Sequence, residues 1–82
     1  MAQLWYGDDP ASEYVVELFD RVEVRLGDGM VAEGLVKKIH PRRREVSVRY
    51  EDHIDAYRTT SNPRRKTVRV PVTAVDLIAR DG

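Results

Sequence analysis

The stretch DRVEVRLGDGMVAEGLVKKI, residues 20–39, sets the rhythm of this chain. From Arg21 to Leu26, charged and apolar residues alternate strictly. That period of two is the mark of a strand with one buried face, and it turns Val22, Val24 and Leu26 inward. Gly27-Asp28-Gly29 supplies the positive φ angles that a tight hairpin needs. Met30 to Ile39 is then the return strand. Gly34 interrupts it and reads as a bulge or sharp bend.

Toward the C-terminus, His40-Pro41 ends the second strand, because proline cannot donate to a ladder. Glu45 to Tyr50 is the third strand, with Val46, Val48 and Tyr50 inward. Residues 51–66, EDHIDAYRTTSNPRRK, keep no period and read as a long loop that Ile54 and Tyr57 could pin. Thr67 to Val70 is the fourth strand, Pro71 to Val75 a tight turn of 3₁₀ type, and Asp76 to Ala79 a short last strand.

Toward the N-terminus, Asp9-Pro10 reads as a helix start, with Asp9 as cap and Pro10 in the first helical position. Tyr14, Val15, Leu18 and Phe19 follow at helical spacing and predict a short helix over about 10–18 with one apolar face. The β-branched pair Val15-Val16 keeps a strand open as the alternative. Leu4, Trp5 and Tyr6 are too apolar for a frayed tail, and dock either on the chain's own sheet or on a neighbouring subunit. The expectation is an all-β fold: a tail and short helix at 1–19, then a five-stranded small barrel over 20–82.

With 82 residues the chain is one small domain with a thin stability margin. It has no cysteine, so neither a disulfide framework nor a thiolate metal site supports it. No apolar run approaches the ~20 residues of a membrane span. The start MAQLWYGDDP lacks a secretion signal, so a cytoplasmic protein without a membrane partner is expected. The zero net charge hides a segregation. Residues 1–36 carry two basic and eight acidic side chains, and residues 37–69 eleven basic and four acidic. Either the acidic segment folds back on the basic one, or the basic segment meets an anionic partner.

The pieces FDRVEVRLGDG, EGLVKKI and VPVTAVDLI, with five short strands and a tight turn before the last, resemble the Src-homology-3-like small barrel over residues 20–79. That class includes Tudor and KOW domains. VPVTAVDLI and FDRV are also similar to segments of the plasmid-borne type II dihydrofolate reductases. In that family a Val-Gln-Ile-Tyr run before the Pro-Val handles substrate and cofactor. The four positions here are Thr67, Val68, Arg69 and Val70, so the resemblance implies architecture and not activity. Tudor domains cage methylated side chains with aromatics, for which Trp5, Tyr6, Tyr50 and Tyr57 are the candidates, although Tyr50 shares core parity.

Signals for catalysis and metal binding are thin. His40 and His53 stand in different connections without close ligand spacing, and Ser12, Ser47 and Ser61 show no adjacent base in sequence. The expectation is a protein without catalytic residues or cofactor.

The basic residues are the sharper signal. Outward parity on the third and fourth strands gathers Arg43, Arg49, Arg65 and Arg69 on one face, with Arg58, Arg64 and Lys66 adjoining. Lys37, Lys38, Arg42 and Arg44 lie just before the third strand. Such a stripe runs on the order of 20 Å and suits several backbone phosphates. Tyr57 and His53 are the candidates for stacking on bases. With so few readers of base edges, binding to DNA or RNA would follow charge and shape. The competing reading is that these cations only keep the barrel soluble and its edges unpaired. A second function reading is a protein-interaction or homo-oligomer-forming module that uses Leu4, Trp5, Tyr6, Tyr14 and Leu18 as contact.

Overall fold

A computed structural model describes residues 3–52 and 64–80, with Asp52 and Arg64 described for their backbone only. Five strands form one antiparallel sheet: β1 (Arg21–Gly27), β2 (Met30–His40), β3 (Glu45–Asp52), β4 (Arg64–Pro71) and β5 (Val75–Ala79). Their order across the sheet is β4-β3-β2-β1-β5. All four neighbouring pairs are antiparallel, including the expected hairpin of β1 with β2 and the expected pairing of β3 with β4. Gly27, Asp28 and Gly29 all take positive φ at the β1–β2 turn, which is the handed geometry a two-stranded ribbon needs.

The inward side chains Val22, Val24, Val36, Val46 and Val48 are fully buried, and Val70, Val72 and Val75 nearly so. Each contributes roughly 1.5–3 kcal/mol through removal from water. Leu26, Ile39 and Val68 pack at the margin of this core.

Pro71 ends the β4 edge strand and Val75 begins the β5 edge strand, with a 3₁₀ turn at Val72–Ala74 between them. Edges of a flat five-stranded sheet lie roughly 19 Å apart, from four interstrand spacings. Four residues of fully extended chain reach at most about 14 Å. The sheet therefore curls enough to bring the end of β4 and the start of β5 together. Arg25 ties this crossing to β1, donating to Asp76 Oδ2 at 2.6 Å and to the Thr73 carbonyl.

The N-terminal segment departs from the expected helix. A single 3₁₀ turn, Pro10–Ser12, starts where the helix start was read, with Asp9 Oδ1 accepting from the Ala11 amide at 2.9 Å. It stops at Glu13, which takes the left-handed conformation (φ 72°). Beyond it the chain pairs back on residues 4–6, up to a turn at Leu18-Phe19 where Phe19 takes φ 67°. Trp5 and Val15 form an antiparallel bridge, Val16 N–H donates to the Leu4 carbonyl at 2.7 Å, and Tyr6 N–H to the Tyr14 carbonyl at 3.1 Å. The β-branched pair Val15-Val16 favours this outcome, and a helix of two to three turns could not have nucleated without a face to bury. Val16 is buried, whereas Tyr14, Leu18 and Phe19 are exposed, so the helical apolar face does not exist.

Leu4 and Tyr6 are buried in the chain's own core. As contact residues for a partner they are corrected: their apolar area is already covered by β-sheet valines, and only half-buried Trp5 and exposed Tyr14 and Leu18 keep accessible surface. Among the described residues, no helix is long and apolar enough to cross a membrane.

Gly34 does not mark the β2 bulge. A Cβ there would meet the Arg49 carbonyl and lie 2.8 Å from Val48 Cγ1, so glycine permits a close approach of β2 to β3. The bulge falls at Lys37, between the pairs Val36↔Val48 and Lys38↔Ser47.

Candidate functional site

The outward face of β2, β3 and β4 gathers the basic residues by register. Ser47 stands opposite Arg69, Arg49 opposite Thr67, and Glu51 opposite Arg65. On the other side of β3, Leu35 faces Arg49, Lys38 faces Ser47, and His40 faces Glu45. The bulge at Lys37 matters here. By adding one residue it turns Lys38 and His40 to the outward face, and Ile39 to the core.

Next to this row lies an open groove of about 560 Å³, lined by Arg21, Lys37, Arg49 and Arg65, with Glu33, Glu51, Leu35, Gly34 and Tyr50. Arg21 reaches it from β1 because its register partner is Leu35, itself paired with Arg49. The Lys37 ammonium sits 4.9 Å from the centroid of the Phe19 ring, a cation–π contact that holds it at the rim.

Among the described residues the face carries six cations (Arg21, Lys37, Lys38, Arg49, Arg65, Arg69) and three carboxylates (Glu33, Glu45, Glu51), a surplus of three positive charges. Two cations are partly neutralised: Arg69 Nε donates to Glu45 Oε1 at 2.8 Å, and Arg21 stands 3.7 Å from Glu33. Both pairs are solvent-exposed and each contributes under about 1 kcal/mol. Among the described residues, Arg49 and Arg65 make no ion pair.

Not every basic residue named from the sequence joins this face. Arg44 takes the left-handed conformation (φ 55°) and reaches Asp8 Oδ2, in the acidic N-terminal segment, at 3.4 Å. Arg42 and Arg43 sit exposed on the 3₁₀ turn Pro41–Arg43, beyond the strand pairing, so Arg43 is no part of the register-defined row. Lys66 has the opposite parity, facing Tyr50. Tyr57, His53 and Arg58, and the side chain of Arg64, lie outside the described residues. Tyr50, read as a core residue, is half buried and borders the groove.

At the β2–β3 end, His40 Nε2 lies 3.0 Å from Ser47 Oγ. Burial, then the nearby charges of Arg69 and Lys38, push the His40 imidazole below its ordinary value, and Glu45 opposes them only in part. This pairing of histidine and serine was invisible in sequence, where the two are seven residues apart in different strands.

A second polar cluster centres on Asp20, the residue before Arg21. Asp20 is buried, accepts from the Tyr6 hydroxyl at 2.7 Å and the Glu17 amide at 3.0 Å, and is clamped by Arg80. Arg80 also bonds Glu17 at 2.6 Å and the Val15 carbonyl at 2.7 Å. Burial alone would raise the Asp20 carboxyl, but the hydrogen bonds from Arg80, Tyr6 and Glu17 outweigh it and hold the carboxyl below the ordinary range. Burial, then the Asp20 carboxylate, pushes the Tyr6 phenol well above its usual value. All partners are satisfied, which makes this a structural clasp and leaves the basic face as the functional candidate.

Against known proteins, no family model, no curated protein and no solved structure matches this chain.

Proposed function

We propose that this chain is a non-catalytic binding module that holds the phosphate backbone of DNA or RNA on the outward face of β2, β3 and β4. The observation that carries the reading is the pair Arg49 and Arg65, which line one groove and make no ion pair among the described residues. A guanidinium presents a planar fork that matches a phosphate in two hydrogen bonds. Lys38 and Arg69 extend the positive row along neighbouring strands, at roughly 4.8 Å per strand. The described face offers Leu35, Val31 and Tyr50 as apolar surface, with Phe19 at the rim, and cations as its main polar groups, so charge leads and sequence preference is weak.

The architecture we infer behind it is a Src-homology-3-like small barrel. The sheet order, with β5 beside β1, and the three-residue 3₁₀ crossing from β4 to β5 support that reading. The test of function is a labelled oligonucleotide titrated at low salt. Binding should weaken with a log–log salt slope of about −0.9 per phosphate contacted. Absence of binding at low salt would remove the proposal.

A second reading is an assembly module. Tyr14, Leu18 and Phe19 expose 53%, 52% and 60% of their surface, an unusual amount for neighbouring large apolar residues in a small domain. Light scattering of the chain and of a Leu18→Ser/Phe19→Ser variant tests it. A mass above one chain that falls in the variant supports assembly, and a single-chain mass for both excludes it.

A further inference from the structure

Lys38, Ser47 and Arg69 lie on one register line across three adjacent strands, with His40 bonded to Ser47 from the next outward position of β2. We propose that these four side chains form a proton-linked phosphate subsite, one end of the surface assigned above to nucleic-acid backbone. The inference rests on that assignment and deepens it.

The hydroxyl of Ser47 stands at the centre, flanked by a cation from β2 and a cation from β4. A phosphate oxygen above Ser47 is within reach of both long side chains. When His40 is neutral and its Nε2 accepts, the Ser47 O–H is directed at the imidazole. When His40 is protonated, Nε2–H donates to Ser47 Oγ, and the hydroxyl hydrogen is released to a phosphate oxygen. Protonation therefore adds one positive charge and one outward donor together.

The charged groups acting on His40 are Arg69 on β4, Lys38 on its own strand and Glu45 on β3, and Arg42 and Arg43 lie on the turn that follows it. Burial, then two of these cations, Arg69 and Lys38, disfavour a charged imidazole in the free protein. A bound phosphate offsets the part due to the cations, so binding takes up a proton. Glu45 competes with the phosphate for Arg69, whose Nε it already holds at 2.8 Å.

The experiment follows the His40 imidazole by NMR in the full chain, assigned with a His53→Gln variant. The chain is titrated alone, with a saturating oligonucleotide and with inorganic phosphate. The expected result is a rise of about one unit in the His40 midpoint with the oligonucleotide, which corresponds to about tenfold tighter binding below that midpoint than above it. His40→Gln should abolish the pH dependence of binding. Glu45→Gln should tighten phosphate binding severalfold, which a merely structural ion pair would not do. An oligonucleotide that binds without moving His40 overturns the subsite and leaves the face assignment standing. Inorganic phosphate that moves His40 when no oligonucleotide binds supports the subsite and removes the nucleic-acid reading. No response to either ligand overturns both.

Discussion

Arg80 grips Asp20 through two separate donors, Nε to Oδ1 at 2.8 Å and an Nη to Oδ2 at 2.9 Å, across 60 residues of chain. Asp20 is 1% exposed and the Arg80 side chain 33%. The pair fastens the N-terminal segment, the start of β1 and the end of β5 at one point. Replacing Arg80 by Met strands a buried carboxylate and should cost about 3–5 kcal/mol. Asp20→Asn removes the charge, so the double variant should lose at least ~1 kcal/mol less than the two single losses added. Urea melts followed by circular dichroism measure all four proteins. Additive losses would show that the clamp carries no coupling.

The same carboxylate gives the fold an acid limit. Asp20 titrates lower in the folded chain than in the unfolded one, whose value is near ~3.9. Between those two values the unfolded chain binds the extra proton, so stability is present above the unfolded value and is lost as pH falls through the folded one. Urea midpoints for the wild type should drop between pH 5 and pH 2, near ~4 and below. Asp20→Asn should start lower at pH 7 and show a shallower drop. Parallel profiles would place the acid sensitivity elsewhere.

Gly34→Ala tests the close approach of β2 and β3. The new methyl meets the Arg49 backbone and Val48 Cγ1, and a backbone atom cannot rotate away. The strands must part, at a cost of about 1–3 kcal/mol. Thermal unfolding should show it directly, and an unchanged melting temperature would mean that the sheet yields freely there.

On the basic face, Arg49→Ser and Arg65→Ser should each weaken oligonucleotide binding and reduce the magnitude of the salt slope by about one. Arg44→Ser should leave both unchanged, because its guanidinium is turned toward Asp8. Fluorescence anisotropy at three salt concentrations separates these outcomes. Equal effects from all three would point to a general charge effect rather than to this face.

Removing residues 1–8 takes Leu4 and Tyr6 out of the core, an apolar loss of roughly 3–6 kcal/mol for the two. A domain of this size has a stability near the low end of ~5–15 kcal/mol, so the truncated chain should melt far earlier or not fold. A truncation that keeps the melting temperature and changes only the mass in light scattering would mean that the segment serves a partner.

Strand positions were legible because parity is a local property: Val22, Val24, Val46 and Val48 announce their burial by spacing alone. The segment from Asp9 to Phe19 was not. Its apolar residues fall at helical intervals, yet its conformation is decided by bridging to residues 4–6, a partner that spacing cannot reveal. Gly34 signals a backbone feature, but not the bulge its residue type suggests. Its missing Cβ serves the contact with β3, while nothing in the residue type of Lys37 marks the extra residue of the bulge. The candidate site was half visible. Arg49, Arg65 and Arg69 follow from β3–β4 parity, whereas Arg21 joins only through two successive registers, and His40 with Ser47 only through the bulge. Arg44 left the group because a left-handed turn residue points its side chain away from the strand it precedes.

The strand order has a consequence for biosynthesis. β1 is an interior strand, but its neighbour on one side, β5, emerges from the ribosome after every other strand. Until then the nascent chain carries Val22 and Val24 beside an open flank, and Asp20 lacks its guanidinium. Completion of the sheet therefore waits on its last strand. Nascent chains halted before Val75 should stay protease-sensitive and bind holdase chaperones, and emergence of Val75–Ala79 with Arg80 should lock the sheet in one cooperative step.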